Sequence, residues 1–336
     1  MKKLKRIFAV FFCLLLASGI LGSCGKAASS SAPAPSASQS GSKPLKIVTT
    51  IFPEYDWVRE ILGDKADHAE VTMLLDNGVD LHSYQPTADD IIKISDCDLF
   101  LYVGGESDGW VEDALKEATN KDMQVINLLD ALGEQVKEEE VVEGMEAEEE
   151  ESEDEDEPEY DEHVWLSLKN AETLCNAITD ALEEIDPANK DAYAANAASY
   201  LEKLAALDGE YQTVVDNAAR KTVLFGDRFP FRYLVDDYGL SYYAAFAGCS
   251  AETEASFETI SFLAGKVDEL GLPCVLTIEG AQHKIAETIV QNSAAKNQSI
   301  LTLDSMQSTT SADAANGTTY LSVMESNLDV LKQALN

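Results

Sequence analysis

The chain has 336 residues and carries 61 Asp and Glu against 24 Lys and Arg, a formal charge of −37. A body that acidic repels phosphate, which excludes nucleic acid and acidic lipid surfaces as partners. Its length, with 45% hydrophobic residues, suffices for two lobes or domains of ordinary size.

Lys2, Lys3, Lys5 and Arg6 precede the apolar run Ile7 to Leu21. That run is too short and wrongly flanked to span a membrane, and it reads as a secretory signal. It closes on Leu21-Gly22-Ser23-Cys24, with Gly25 following, which resembles the lipobox of bacterial lipoproteins. The resemblance implies a signal peptide and lipobox over residues 1–24, with Cys24 as the lipidated first residue of the mature chain. Residues 25–44 are rich in Ser, Ala and Pro, have little to bury and read as a disordered tether.

Lys46 to Phe52 is β-branched and short, ends at Pro53 and reads as a buried first strand. Tyr55 to Leu62 has apolar residues at helical spacing and stops at Gly63. The alternation continues with a strand at Glu70 to Leu75, a helix at Thr87 to Ile94, a strand at Leu99 to Val103, a helix at Trp110 to Ala118 and a strand at Gln124 to Leu128. Such a rhythm predicts a parallel sheet with helices on its faces, and ligands collect at the carboxyl ends of such strands. Glu138 to Glu162 then holds 17 Asp or Glu and no Lys or Arg, a block predicted to be a solvated loop. Ser167 to Ile185 reads as a helix, and Pro187 as the first turn of a long one reaching about Ala219. Strands at Thr222 to Phe225, Leu240 to Phe246, Cys274 to Ile278 and Ser299 to Leu303 alternate with helices at Phe231 to Tyr238, Ser256 to Leu270, His283 to Ala294 and Thr318 to Leu335.

Two of the four histidines stand in polar loops. His82 lies in Asp80-Leu81-His82-Ser83-Tyr84-Gln85-Pro86-Thr87, where Pro86 stiffens the loop and Thr87 with Asp90 makes a loose helix cap. His163 lies in Asp161-Glu162-His163-Val164-Trp165-Leu166-Ser167-Leu168. Two loop imidazoles among many carboxylates suit a borderline divalent cation such as zinc or manganese. His68 reads as an exposed turn residue and His283 as a helix-face one. Cys97, Cys175, Cys249 and Cys274 form no C-x-x-C pair and read as buried thiols by default, with any pairing left open.

These residues resemble the metal-binding lipoproteins of zinc and manganese ABC importers, the cluster A-I solute-binding family, over roughly Leu45 to Leu335. The family's His-x-Tyr-Glu-Pro-Thr looks like His82 to Thr87, and its Asp-Pro-His-x-Trp-Leu-x-Pro looks like Asp161 to Leu168, with Glu162 and Leu168 replacing two prolines. Its closing helix looks like Tyr320, Met324, Asn327, Leu328 and Leu331. The third ligand position falls on Arg228, which cannot ligate a cation, so the adjacent Asp227 is the candidate there. The fourth falls on Asp304-Ser305, with Glu279 in reserve. Where members carry a His-rich loop, this chain has the acidic run, a weak collector of cations.

The resemblance implies an α/β fold of two Rossmann-like lobes with parallel-rich sheets joined by one long rigid helix. The lobes are expected over residues 45–186, with the acidic loop at 138–162, and over 220–336, with the helix at 187–219 between them. It implies an extracytoplasmic, lipid-anchored monomer that captures one Zn²⁺ or Mn²⁺ on His82, His163, Asp304 and Asp227 and delivers it to an ABC permease. No H-E-x-x-H pairing supports a metallo-hydrolase, and no G-x-x-x-x-G-K-[ST] loop supports an ATPase in this chain, so the expectation is a non-enzyme. A surface adhesin, or a binder of a larger metal chelate, is the alternative.

Overall fold

The computed structural model describes residues 43–146, 159–250, 254–280 and 283–336. The signal run, Cys24, the tether as far as Ser42 and the middle of the acidic run lie outside the described residues.

The first half is built on four parallel strands, β1 (Leu45–Thr49), β2 (Ala69–Met73), β3 (Leu99–Tyr102) and β4 (Gln124–Asn127), in the order β2-β1-β3-β4. Leu99, Phe100 and Leu101 of β3 are fully buried, as a strand covered on both faces requires. Helix α1 (Phe52–Leu62) packs on β1 and β2. Its start differs from expectation. Pro53 sits in the helix's first turn, where its missing N–H leaves nothing unsatisfied, so the strand ends at Thr49. The short helices α2 (Ala88–Ser95) and α3 (Val111–Lys116) complete the crossovers, and α4 (Leu128–Leu132) follows the last strand.

Helix α5 (Leu168–Ile185) packs on β4, and α6 (Lys190–Asp216) follows. The 27 residues of α6 span about 40 Å at 1.5 Å per residue. Pro187 stays in the preceding turn, where Asp186 accepts from the Asn189 amide (2.6 Å) and the Tyr193 hydroxyl (2.7 Å). Tyr193, Ala197, Tyr200, Leu204, Leu207, Tyr211 and Val215 form the buried stripe of α6. It contacts α1, α5, α7 (Arg232–Tyr238) and α11 (Tyr320–Ala334).

In the second half β5 (Thr222–Leu224) pairs with β7 (Ser241–Tyr243), and β9 (Cys274–Thr277) with β10 (Ser299–Thr302), both in parallel. A bridge from Phe225 to Leu276 joins the pairs into the order β7-β5-β9-β10. The expected strand Leu240 to Phe246 is broken after Tyr243, and β8 (Phe246–Ala247) pairs instead with β6 (Arg228–Phe229). The break arises because the Ala245 N–H turns to the Asp227 carbonyl (3.2 Å) while its own carbonyl accepts from Glu146 (2.9 Å). Helices α8 (Phe257–Leu270), α9 (Lys284–Asn292) and α10 (Ser311–Ala315) complete this half, and α10 had no counterpart in the sequence reading.

The ends of the acidic run are packed, contrary to a wholly solvated loop. Glu138 bridges Tyr160, the Glu139 N–H donates to the Glu159 carbonyl (2.9 Å) and the Asp161 N–H to the Lys137 carbonyl (3.0 Å). Pairing the two ends removes their backbone groups from water and leaves Met145, Asp161 and Glu162 buried.

Among the described residues all four cysteines are free. Glu54 and Asp56 of α1 and Asp108 in the loop after β3 are buried as well. Glu54 accepts from the Thr50 N–H (2.7 Å), the Thr50 hydroxyl (3.1 Å) and the Ile51 N–H (3.3 Å), yet burial, and then the nearby Asp108, push its pKa to about 8. Burial likewise lifts Asp56 and Asp108 to about 7. A raised folded pKa means that the folded chain keeps a proton the unfolded chain loses. The stability from Glu54 is therefore complete below its ordinary value of 4.5 and is lost as pH rises through about 8. Urea unfolding at a series of pH values should show stability declining over that window, and Glu54→Gln should flatten the slope; an unchanged slope in the variant would refute the assignment.

Candidate metal centre

His82 sits in a single 3₁₀ turn, Leu81–Ser83, between β2 and α2. Asp80 caps the turn, its Oδ1 accepting from the His82 N–H at 3.0 Å. The far side of the loop is tied down by a reciprocal box. Asp90 Oδ2 accepts from the Thr87 N–H (3.0 Å), the Thr87 hydroxyl (2.7 Å) and the Tyr84 hydroxyl (3.0 Å). The His82 ring places Nδ1 2.8 Å from Ser107 Oγ and 3.4 Å from Glu162 Oε2. Ser107 in turn donates its backbone N–H to Glu162 Oε1 at 2.9 Å. The turn at Gly104 and Gly105 (φ 97° and 77°) makes this approach possible: a Cβ on Gly105 would lie 2.3 Å from Glu162 Oε1.

His163 is fully buried at the start of a 3₁₀ turn, Val164–Leu166. Asp161 Oδ1 takes both its backbone N–H (2.8 Å) and Nδ1 (3.0 Å). A carboxylate at Nδ1 holds the proton there, so Nε2 presents its lone pair. On His82 the corresponding nitrogen faces Ser107 Oγ and the Glu162 carboxylate. The two Nε2 atoms face each other at 3.2 Å. Two ligand nitrogens around a tetrahedral Zn²⁺ would stand about 3.3 Å apart, given Zn–N bonds of about 2.05 Å.

Charge follows this arrangement. Burial, then the neighbouring His163, hold His82 down to about pKa 3. Burial also opposes charge on His163, but the carboxylates of Asp161, Glu162 and Asp80 outweigh it and raise the ring above its ordinary 6.5. Positive charge in the pair is therefore favoured on His163 and disfavoured on His82.

Among the described residues, one set of three donors lies within 4.8 Å of one another: His82, His163 and Cys249. The structure brings the two predicted histidines together and places Asp304 and Asp227 outside that set. Both Asp227 oxygens serve backbone amides, Oδ1 accepting from Arg228 (2.9 Å) and Oδ2 from Ile278 (3.3 Å). Asp304 Oδ1 accepts from the Met306 N–H (2.7 Å). Burial and the neighbouring Glu279 raise Asp304 to about 6. Glu279 is occupied with the next turn, accepting from the Ser305 N–H (2.7 Å), the Ser305 hydroxyl (2.8 Å) and the Gln307 N–H (2.9 Å). That turn docks on the second histidine motif through Trp165 Nε1, which donates to the Ser305 carbonyl at 2.9 Å.

Arg228 points its guanidinium at Asp80 Oδ2 (2.6 Å) and at the Ser250 carbonyl (3.3 Å). It thus clamps the His82 loop to the loop carrying Cys249. The sequence pattern reads Cys249 as a buried thiol, whereas its side chain is only partly buried and stands beside both imidazoles; the signal available was Arg228 itself, since a cation in a ligand position asks for another donor nearby.

The model of the family described as zinc-uptake complex component A, periplasmic, matches residues 47–334. Over 292 residues the chain is 33% identical to the zinc-binding lipoprotein AdcA of Streptococcus pneumoniae, covering 86% of this chain and 55% of that protein. The chain thus spans about half the length of the AdcA relatives it matches. It is 32% identical to the high-affinity zinc uptake system protein ZnuA of Bacillus subtilis over 337 residues, 99% of this chain and 98% of that one. The crystal structure of the Zn(II)-bound ZnuA-like domain of S. pneumoniae AdcA superposes with a TM-score of 0.67 at 30% identity, covering 87% of this chain and 99% of that one. With a fold of two parallel-sheet halves braced by one long helix and a histidine pair at its centre, the chain belongs to the zinc-uptake complex component A family.

Proposed function

We propose that this chain is the extracytoplasmic capture component of an ABC importer for a divalent transition metal, zinc before manganese, and that it works without catalysis. Anchored to the membrane through Cys24, it binds one ion as a monomer and passes it to a permease carried by other chains. The observation that carries this reading is the pair of Nε2 atoms held face to face at 3.2 Å, each ring contacted from behind at Nδ1. Such a pair is unfavourable unless a proton or a metal cation sits between, and the spacing matches a shared Zn²⁺. The names of AdcA and ZnuA as zinc proteins point the same way.

His82 and His163 are the proposed nitrogen ligands. Asp304 is proposed to join them, because a cation relieves the repulsion between its buried carboxylate and Glu279. Asp227 is proposed to shape the Arg228 turn instead, since both its oxygens are committed to amides. The acidic run is proposed as a collector of cations outside the site, not as the site.

Three outcomes are expected. In calorimetric titration, His82→Ala with His163→Ala should abolish stoichiometric zinc binding, while a deletion confined to residues 147–158 should leave it nearly intact; the reverse pattern would make the run the site. Zinc affinity should fall as pH drops through the raised range of His163, because the bound proton and the metal compete for Nε2. Asp161→Asn should move that fall to lower pH and weaken binding roughly 10–100-fold at its plateau; an unshifted curve would assign the proton elsewhere. Arg228→Ala should destabilise the metal-free chain by about 1–3 kcal/mol in urea unfolding, by stranding Asp80 in a part-buried site. No loss would mean that the clamp is idle.

A further inference from the structure

We propose that the Cys249 thiolate is a direct ligand of the captured ion, completing a His82–His163–Cys249 set at the position where Arg228 cannot serve. This deepens the capture reading and rests on it.

Three independent features converge on the thiol. Its sulfur belongs to the one three-donor set among the described residues, within 4.8 Å of both imidazoles. The loop that carries it is pressed onto the second histidine: a Cβ at Gly248 would meet His163 Cε1 at 3.0 Å, His163 Nδ1 at 3.1 Å and the Phe229 carbonyl at 2.9 Å. Any side chain at position 248 would therefore push Cys249 away from the imidazole, so glycine is what lets the sulfur approach. The loop is also held on both sides of the cysteine. Glu139 Oε1 accepts the Cys249 N–H at 3.1 Å, and Arg228 donates to the carbonyl of the following residue, Ser250, at 3.3 Å. Because the same guanidinium grips Asp80, it brings the loops of His82 and Cys249 toward a common point. Arg228 thus acts as a positioning residue for two ligands while supplying none itself.

The chemistry then selects the cargo. Two imidazoles with two carboxylates accommodate manganese, whereas two imidazoles with a thiolate suit the softer zinc. On binding, the metal–sulfur bond forms as the S–H bond breaks and the proton passes to solvent; no oxidant or reductant is involved. The remaining position around the ion is left for a carboxylate or water.

The test uses the purified full chain loaded with Co²⁺ in place of zinc, since cobalt bound by a thiolate shows a sulfur-to-metal charge-transfer absorption in the near ultraviolet. The wild-type chain should show that absorption at one equivalent and hold zinc more tightly than manganese. Cys249→Ser should lose the absorption and weaken zinc binding beyond the roughly 10–100-fold that loss of an outer-shell partner costs. Tight, stoichiometric metal binding by the wild type without the absorption would overturn the cysteine ligand and leave the capture reading standing. So would an absorption that survives in Cys249→Ser. Failure of the wild type to bind either metal tightly would overturn both. The wild-type spectrum decides the matter even if the variant folds poorly.

Discussion

Two hydrogen bonds made behind the histidines govern the centre of this molecule. Asp161 grips His163 at the backbone and at Nδ1 with a single oxygen, and the Ser107–Glu162 pair holds Nδ1 of His82. Held on that side, both rings turn Nε2 inward, 3.2 Å apart. A flip of either ring would strand a buried donor or acceptor, at a cost of about 1–3 kcal/mol. The rings are thus set before any ion arrives, and the ion does not have to order them.

Behind those bonds stands a relay of contacts far apart in sequence. The Trp165 indole holds the Ser305 carbonyl, the Tyr320 hydroxyl holds the Trp165 carbonyl at 2.7 Å, and the Tyr320 N–H meets buried Asp56 of the first helix at 2.8 Å. The first and last helices are therefore fastened to the turn that carries His163. Acidic residues do much of this work. Asp80, Asp90, Asp161, Glu162, Asp227 and Glu279 each accept from loop amides, so part of the negative charge serves as scaffolding for turns. Arg228 turns one of those carboxylates into a clamp between loops.

The β-α rhythm was legible in the sequence because strand and helix periodicities are local properties. The histidine pair was legible because each residue stands in its own short polar motif. What was not legible depended on distant partners. Leu240 to Phe246 looked like one strand because nothing nearby reveals that Ala245 pairs with Asp227 and Glu146. The acidic run looked solvated throughout because composition does not show that its two ends zip together at Glu138 and Tyr160. Pro53 and Pro187 each act about a turn away from where local pattern puts them, since proline fits a helix start and a turn equally well. Cys249 carries no motif at all, and its meaning comes only from the loop that Arg228 and Glu139 hold in place.

The sequence distances built into the centre bear on when it comes into being. His82 and His163 are 81 residues apart, and Asp80 and Arg228 are 148 apart. The contact between Asp56 and Tyr320 closes a span of 264 residues. Contacts of such range form late, after the chain entropy of closing long loops has been overcome. The two imidazoles lie within the first 163 residues, but the Asp80–Arg228 clamp and the Asp56–Tyr320 contact need the rest of the chain, so the setting of the pair is complete only when the last helix docks.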